Sequence, residues 1–423
     1  MNFINWNFNF VKSSNIGAIL ALGLGLFALN ACSLNSKKTE APVPQTDESK
    51  LLPEVTATPE VTATPEVTAT PEAIAGPTAI PEVTAGPTAI PEVTAGPTAI
   101  PTAIPTITPQ PTPVPSPTRA PVPEFNFVKA CESLNLSANI KVTIEALKKE
   151  VKELNCQKAA EKLEKVTFLD LSSKNISNLI PLLVLKNIQI LDLSSNREIE
   201  DIRILGEFKT LKGLSLNKTK IETLEFLDTL ENLESFSAEN SNLNNINSLN
   251  KMSSLKYLYL SSSKIPNINA VSAANKLSVL KIENLKLKNV SALASQKSLQ
   301  KVSVKHNDLR DLEPLTHSPF LIELDASFNK IVDLPVFKFG LTMQTLLLSH
   351  NQIKDVSPLI GAAQGSAGTA LRKLQTLGLS YNKLTDVSVL KRLENVNYLD
   401  LKGNELLFEQ KKCPVLFETY CEF

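Results

Sequence analysis

The chain has 423 residues with 43 basic and 43 acidic side chains, a balance that excludes the clustered Lys and Arg field a nucleic-acid binder needs. Apolar residues reach 43%, enough for a sizeable core, while aromatic residues are held to 5%, so a cluster of rings carries information. Three histidines and five cysteines leave little material for a metal centre, and no cofactor is expected.

The first element reads as an export signal, residues 1–31. Lys12 follows a polar start, Ile16 to Ala31 is nearly continuous Ile, Ala, Leu, Gly and Phe, and a small residue precedes Cys32. The run is shorter than the ~20 apolar residues that span a bilayer comfortably. Leu29-Asn30-Ala31-Cys32 resembles a bacterial lipobox, which implies cleavage before Cys32 and acylation of that residue. More than one acyl chain gives lasting attachment, since each buried CH2 contributes ~0.8 kcal/mol. Ser33 rather than Asp follows the cysteine, which by the same resemblance implies the outer membrane if the envelope is Gram-negative.

Residues 32–124 form the second element, with 20 of the 27 prolines between Ala41 and Glu124. It opens with "PEVTATPEVTATPEVTAT" and continues with "AGPTAIPEVT". Proline removes backbone donors and fixes φ, and Val, Thr and Ala without a hydrophobic period cannot pack a core. The expectation is a disordered, polyproline-II-like stalk reaching up to ~3.1 Å per residue. Regular repetition favours a spacer over a ligand for proline-binding domains, which wants PxxP spacing with flanking basic residues. From Ser33 to Pro123 nine acidic residues stand against four basic ones, and their repulsion favours extension.

Residues 125–165 read as a helical N-terminal cap. In "SANIKVTIEALKKEVKELNC", Ile144, Leu147, Val151 and Leu154 follow helical spacing, with Ser137 or Asn139 as the N-cap. With Cys32 taken by lipid, the other cysteines fall into two local pairs, Cys131 with Cys156 and Cys413 with Cys421. An exported chain meets an oxidising compartment, so two disulfides are expected, the first contributing ~3 kcal/mol through loop closure. A zinc site fits the four less well: neither pair has CxxC spacing, and His306, His317 and His350 lie far along the chain.

Residues 166–406 are a repeat. Segments of the form LxxLxLxxNxL begin at Val166, Ile188, Leu211, Leu233, Leu255, Leu277, Leu299, Leu321, Met343, Leu374 and Val396, an interval of 22 except for one of 23 and one of 31. Such a period marks a solenoid. Typical units are "LIELDASFNKIVDL", "MQTLLLSHNQIKDV" and "LQTLGLSYNKLTDV". These segments closely resemble leucine-rich repeats of the bacterial, internalin-like type. The resemblance implies an α/β solenoid, a leucine-rich repeat horseshoe with a parallel concave sheet, and a role in recognition, often at the cell surface. Alternate Leu residues of LxL face inward, and one repeat cannot bury its own apolar face, so both ends need caps. The Asn column runs Lys174, Asn196, Thr219, Ser241, Ser263, Leu285, Asn307, Asn329, Asn351, Asn382, Asn404. The last five repeats should be regular and the first six looser, with Asn175 and Asn284 able to stand in beside Lys174 and Leu285.

The next-to-Asn column, read as solvent-facing on the concave strands, contains His306, Phe328, His350 and Tyr381 in succession. Tyr257, Tyr259 and Tyr398 fall on the same face, with Lys281, Lys301 and Lys305 beside the column. Exposed aromatic clusters mark binding hot spots, so these residues are the expected ligand patch. The nine extra residues between Ile360 and Lys373, with three glycines, read as a surface loop away from the strands. Residues 407–423 read as a C-terminal cap in which Phe408, Val415, Leu416 and Phe417 seal the last coil.

No GxSxG, HExxH, P-loop or GxGxxG motif occurs, and nothing near His306 or His350 supplies a nucleophile, so no catalytic residue is expected. The reading is a membrane-anchored module that binds a protein or surface glycan from the bacterial cell envelope, outer membrane or cell surface. A periplasmic scaffold is the alternative, and an inhibitor or sensor of an envelope enzyme a third.

Overall fold

The computed structural model describes residues 122–361, 370–406, 409, 412–414 and 420–423. The signal segment, Cys32 and nearly all of the proline-rich stalk lie outside them, as do Phe408, Val415, Leu416, Phe417 and most of the loop after Ile360.

One parallel sheet of twelve strands runs through the described residues in sequence order. Its strands are β1 (Phe168–Asp170), β2 (Ile190–Asp192), β3 (Gly213–Ser215), β4 (Ser235–Ser237), β5 (Tyr257–Tyr259) and β6 (Val279–Lys281), followed by β7 (Lys301–Ser303), β8 (Glu323–Asp325), β9 (Thr345–Leu347), β10 (Thr376–Gly378), β11 (Tyr398–Asp400) and β12 (Tyr420–Glu422). Every repeat places the same residue in register with the next, as in Leu324↔Leu346 and Leu346↔Leu377. The central residue of each strand points inward; Leu191, Phe236, Leu258, Leu280, Val302, Leu324 and Leu346 are fully buried. Each such side chain contributes about 1.5–3 kcal/mol. Short 3-10 turns occupy the back of most coils and close with the same apolar column, including Leu227, Leu249, Val271 and Leu293.

The Asn column is a hydrogen-bonded ladder. Asn329 donates to the carbonyls of Val304 and Ala326 and accepts from the Leu309 N–H; Asn351 does the same with Ala326, Leu348 and Ile331. Each rung therefore satisfies backbone groups of its own coil and of the preceding one. Asn196, Asn307, Asn382 and Asn404 repeat the pattern. The Thr219 and Ser241 hydroxyls each donate to a carbonyl of their own coil, three residues back, and Ser263 donates to the Ala238 carbonyl of the preceding coil.

Where the ladder residue is Lys174 or Leu285, the neighbouring asparagines do not replace it. Instead the chain takes a second left-handed residue, Asn175 (φ 57°) or Lys286 (φ 58°). Asn284 points its amide at Ser262 Oγ, away from the ladder. The irregular repeats thus change their turn and leave backbone satisfaction to the Asn of the next coil, as Asn307 does for Leu285 and Leu287.

The N-terminal cap has three helices, α1 (Phe127–Glu132), α2 (Ala138–Glu150) and α3 (Cys156–Leu163). Ile144 and Leu147 of α2 are buried as the spacing predicts, but the helix stops at Glu150, and Lys152 turns left-handed at φ 50°. Leu154, expected on the buried stripe, is consequently 85% exposed. Cys131 and Cys156 form a disulfide that ties α1 to α3. Asn126 and Asn155 cap these two helices by accepting from Lys129 and Lys158 N–H. At the other end β12 adds a further rung beside β11, and its Cys421 is bonded to Cys413.

The nine extra residues of the ninth repeat leave the sheet undisturbed. Thr345, Leu346 and Leu347 pair with Thr376, Leu377 and Gly378 in the register used everywhere else. On the back of that coil Ala370 N–H donates to the Gly361 carbonyl, which brings the two ends of the insertion together.

Candidate recognition face

Each coil leaves its strand through one left-handed residue. The column from Ser173 to Tyr381 holds φ between 53° and 60° at ten non-glycine positions, and Gly403 completes it at 69°. This conformation costs a bulky residue about 1–3 kcal/mol unless its surroundings compensate. The sequence placed His306, Phe328, His350 and Tyr381 on the strands; they stand three residues beyond the ends of β7, β8, β9 and β10, at the edge of the sheet.

There the rings stack face to face. Centroids lie 4.2 Å apart for His306 and Phe328, 4.0 Å for Phe328 and His350, and 4.4 Å for His350 and Tyr381. The spacing follows from the backbone: the N–H groups of His306, Phe328 and His350 donate to Ser327, Ser349 and Ser380 carbonyls, carrying the ladder of the sheet through the turn. Strand separation of ~4.8 Å is close to the optimum for stacked rings. Three stacked pairs at about 0.5–1.5 kcal/mol each offset the left-handed strain. Gly403 abuts Tyr381: a Cβ on Gly403 would lie 2.6 Å from Cδ1 of that ring. Lys305 Nζ stands 5.3 Å from the Phe328 centroid. Phe328 and Tyr381 remain 37% and 48% exposed, along their edges.

The other residues of the expected patch divide. Tyr257 and Tyr259 share β5, but Tyr259 is only 7% exposed, and burial, with Tyr257 and Glu239 nearby, pushes its hydroxyl pKa well up. Lys301 pairs with Glu323 at 2.6 Å, and Lys281 with Glu239 at 3.1 Å and Glu283 at 3.7 Å. Tyr398 lies four strands beyond Lys301; desolvation, then Asp400 and Glu422, push its pKa up to about 12. The structure thus gathers His306, Phe328, His350, Tyr381 and Lys305 at one edge and sets Tyr257 and Tyr259 apart.

His350, between two rings, is held below the usual imidazole pKa chiefly by desolvation, with His306 and Lys305 adding to it and Asp400 opposing. A depressed pKa means the folded state resists the proton that the unfolded chain accepts, so stability is complete above the ordinary value near 6.5 and falls as pH drops through the folded value. Melting temperature should therefore fall more steeply between about pH 7 and pH 5 in the wild type than in His350→Asn. Parallel curves would refute this.

Among the described residues, no group of three or more His, Cys, Asp and Glu is placed to hold a metal ion, and no helix is long and apolar enough to cross a membrane. No protein-family model matches the chain, and no curated protein matches its sequence. Solved structures do. The crystal structure of an internalin (InlF) from Listeria monocytogenes aligns over 64% of this chain and 84% of its own, at 24% identity and a TM-score of 0.53. The functional domain of InlJ from Listeria monocytogenes, described as including a cysteine ladder, aligns over 59% of this chain and 51% of its own, at 20% identity and a TM-score of 0.51. No cysteine falls between residues 166 and 406 of the present chain, where rungs are asparagine and rings. The likeness, together with the twelve-stranded parallel sheet, establishes the internalin-like leucine-rich repeat fold of this protein.

Proposed function

We propose that this protein is a lipid-anchored recognition module of a bacterial envelope, which binds a partner protein on the sheet face and ring ladder of its repeats without catalysis. The observation that carries the reading is the ladder itself: four rings with exposed edges, fixed by the backbone at one rim of a rigid sheet. Rigid, half-exposed aromatic groups are the usual anchors of protein interfaces, because they bury much area at little entropic cost. A protein partner suits them better than a glycan. Sugars stack on open ring faces, and here both faces of Phe328 and His350 are already covered by neighbouring rings.

Anchoring is assigned to Cys32, with residues 32–124 as the spacer that holds the repeats away from the bilayer. The expected result for Cys32→Ser is transfer of the protein from the membrane pellet to the soluble fraction, with the repeats still folded. Retention in the pellet after a carbonate wash would rule out the lipid anchor. Protease shaving of intact cells, with a periplasmic protein as leakage control, then decides the side of the envelope. Loss of the repeats supports cell-surface recognition; protection until permeabilisation overturns the surface location in favour of a periplasmic partner.

A further inference from the structure

The outward side chains of the sheet form transverse rows, and one of them changes character between β8 and β12. Asp325 pairs in register with Leu347, Leu347 with Gly378, Gly378 with Asp400 and Asp400 with Glu422. Parallel to it run Glu323, Thr345, Thr376, Tyr398 and Tyr420. The middle of this area is uncharged and low. Gly378 carries no side chain and is buried, and a Cβ there would meet Leu347 Cδ2 at 3.1 Å, so Leu347 leans over the backbone of β10. The edges of His350 and Tyr381 rise along one side, in the turns that follow β9 and β10.

Acids on the face are paired unevenly. Several acids are neutralised, Glu234 by Lys256, Glu239 and Glu283 by Lys281, and Glu323 by Lys301, whereas Asp170 and Asp192 on β1 and β2 accept the backbone N–H two residues on. Asp325, Asp400 and Glu422 form no ion pair among the described residues. Asp325 and Asp400 each accept only a backbone N–H, from Ser327 and Lys402, and Glu422 accepts the hydroxyls of Tyr398 and Tyr420. Lys305 and Lys402 flank the row without pairing to it. Leu347 therefore lies between carboxylates that form no ion pair, a pattern that complements a ligand with cations at both ends and an apolar group between them.

Distance sets the ligand's spacing. Asp325 and Asp400 are three strand separations apart, ~14 Å at ~4.8 Å each, and an extended chain covers this in about four residues. In such a chain residues two apart project to the same side. Building on the proposed recognition role, we infer that the sheet face from β8 to β11 docks an extended segment of a partner protein of the form basic-x-apolar-x-basic, lying across the strands. Its two cations reach Asp325 and Asp400, and its central side chain rests on Leu347 beside the rings.

The test is selection of a random dodecapeptide phage library on the purified full-length chain, with the Asp325→Asn, Asp400→Asn, Glu422→Gln triple variant as comparison. Expected is enrichment of peptides with basic residues four apart around an apolar one, binding the variant at least about tenfold more weakly while its melting temperature is kept. Peptides that lack the basic pair, or that bind the variant equally, overturn the inference and leave the recognition role standing. Selection of nothing above uncoated plastic overturns both the inference and the protein-binding reading of this face.

Discussion

Replacing Asn351 with Ala should cost the repeat domain ~2–3 kcal/mol, with a clear shift of the urea midpoint. The side chain is buried and makes four backbone contacts, donating to the Ala326, Leu348 and Ser349 carbonyls at 3.1, 2.9 and 3.4 Å and accepting from the Ile331 N–H at 3.1 Å. Alanine leaves the Ile331 N–H without a partner inside the solenoid, at about 1–3 kcal/mol, while the Ala326 and Leu348 carbonyls each lose one of two asparagine donors, keeping Asn329 and Asn382. Two of the groups belong to the preceding coil, so the damage falls on the joint between coils as well as on the coil that carries the mutation. Asn351→Ser should cost less than Asn351→Ala, because a hydroxyl in this column still makes part of the ladder, as Ser263 does in donating to the Ala238 carbonyl of the preceding coil. A midpoint for Asn351→Ala within ~1 kcal/mol of wild type would refute the ladder as a source of stability.

The second large effect is expected at Gly403. An alanine there would adopt φ 69°, where L side chains are strained, and would place its Cβ 2.6 Å and 2.8 Å from two ring atoms of Tyr381. The ring must swing away, which opens its 4.4 Å stack on His350. Strain and lost stacking together should cost about 2–3 kcal/mol. In a Tyr381→Ser background the clash is gone, so the same Gly403→Ala change should cost about 1 kcal/mol or more less. Equal costs in the two backgrounds would show that ring and glycine do not communicate.

The solenoid was legible in the sequence because its signal is repetition. LxL recurs in phase from β1 to β11, and inward burial of the middle residue follows directly from strand alternation. The caps were less legible because nothing there repeats. Extending the helical stripe from Ile144 to Leu154 crossed Lys152, whose left-handed turn no apolar spacing announces. The helices α1 and α3 are too short to show a convincing period, though Asn126 and Asn155 stood in the sequence as capping residues. The twelfth strand, Tyr-Cys-Glu, is a single LxL-like triplet without the downstream motif that identified the others.

The ring column was visible as a column and misplaced as a conformation. Ser, Lys, Asn, His, Phe, Tyr and Gly all occupy the same left-handed position, so residue type gave no warning of it; only Asn240, Asn284 and Gly403 favour that geometry by themselves. The aromatic members tolerate it because neighbours in register stack upon them. That compensation is a property of adjacent coils and cannot be read from any one repeat.

The undisturbed register between β9 and β10 separates the molecule's two sides in an engineering sense. Thirty-one residues pass from Met343 to Leu374 where other coils use twenty-two, yet the face they help to build keeps its alignment, and Ala370 returns to hydrogen-bond Gly361. Coil length at the back is thus an independent variable. A fluorophore, epitope or second domain spliced between Gly361 and Ala370 has a ready-made closed base, and the register of the sheet beside it need not change.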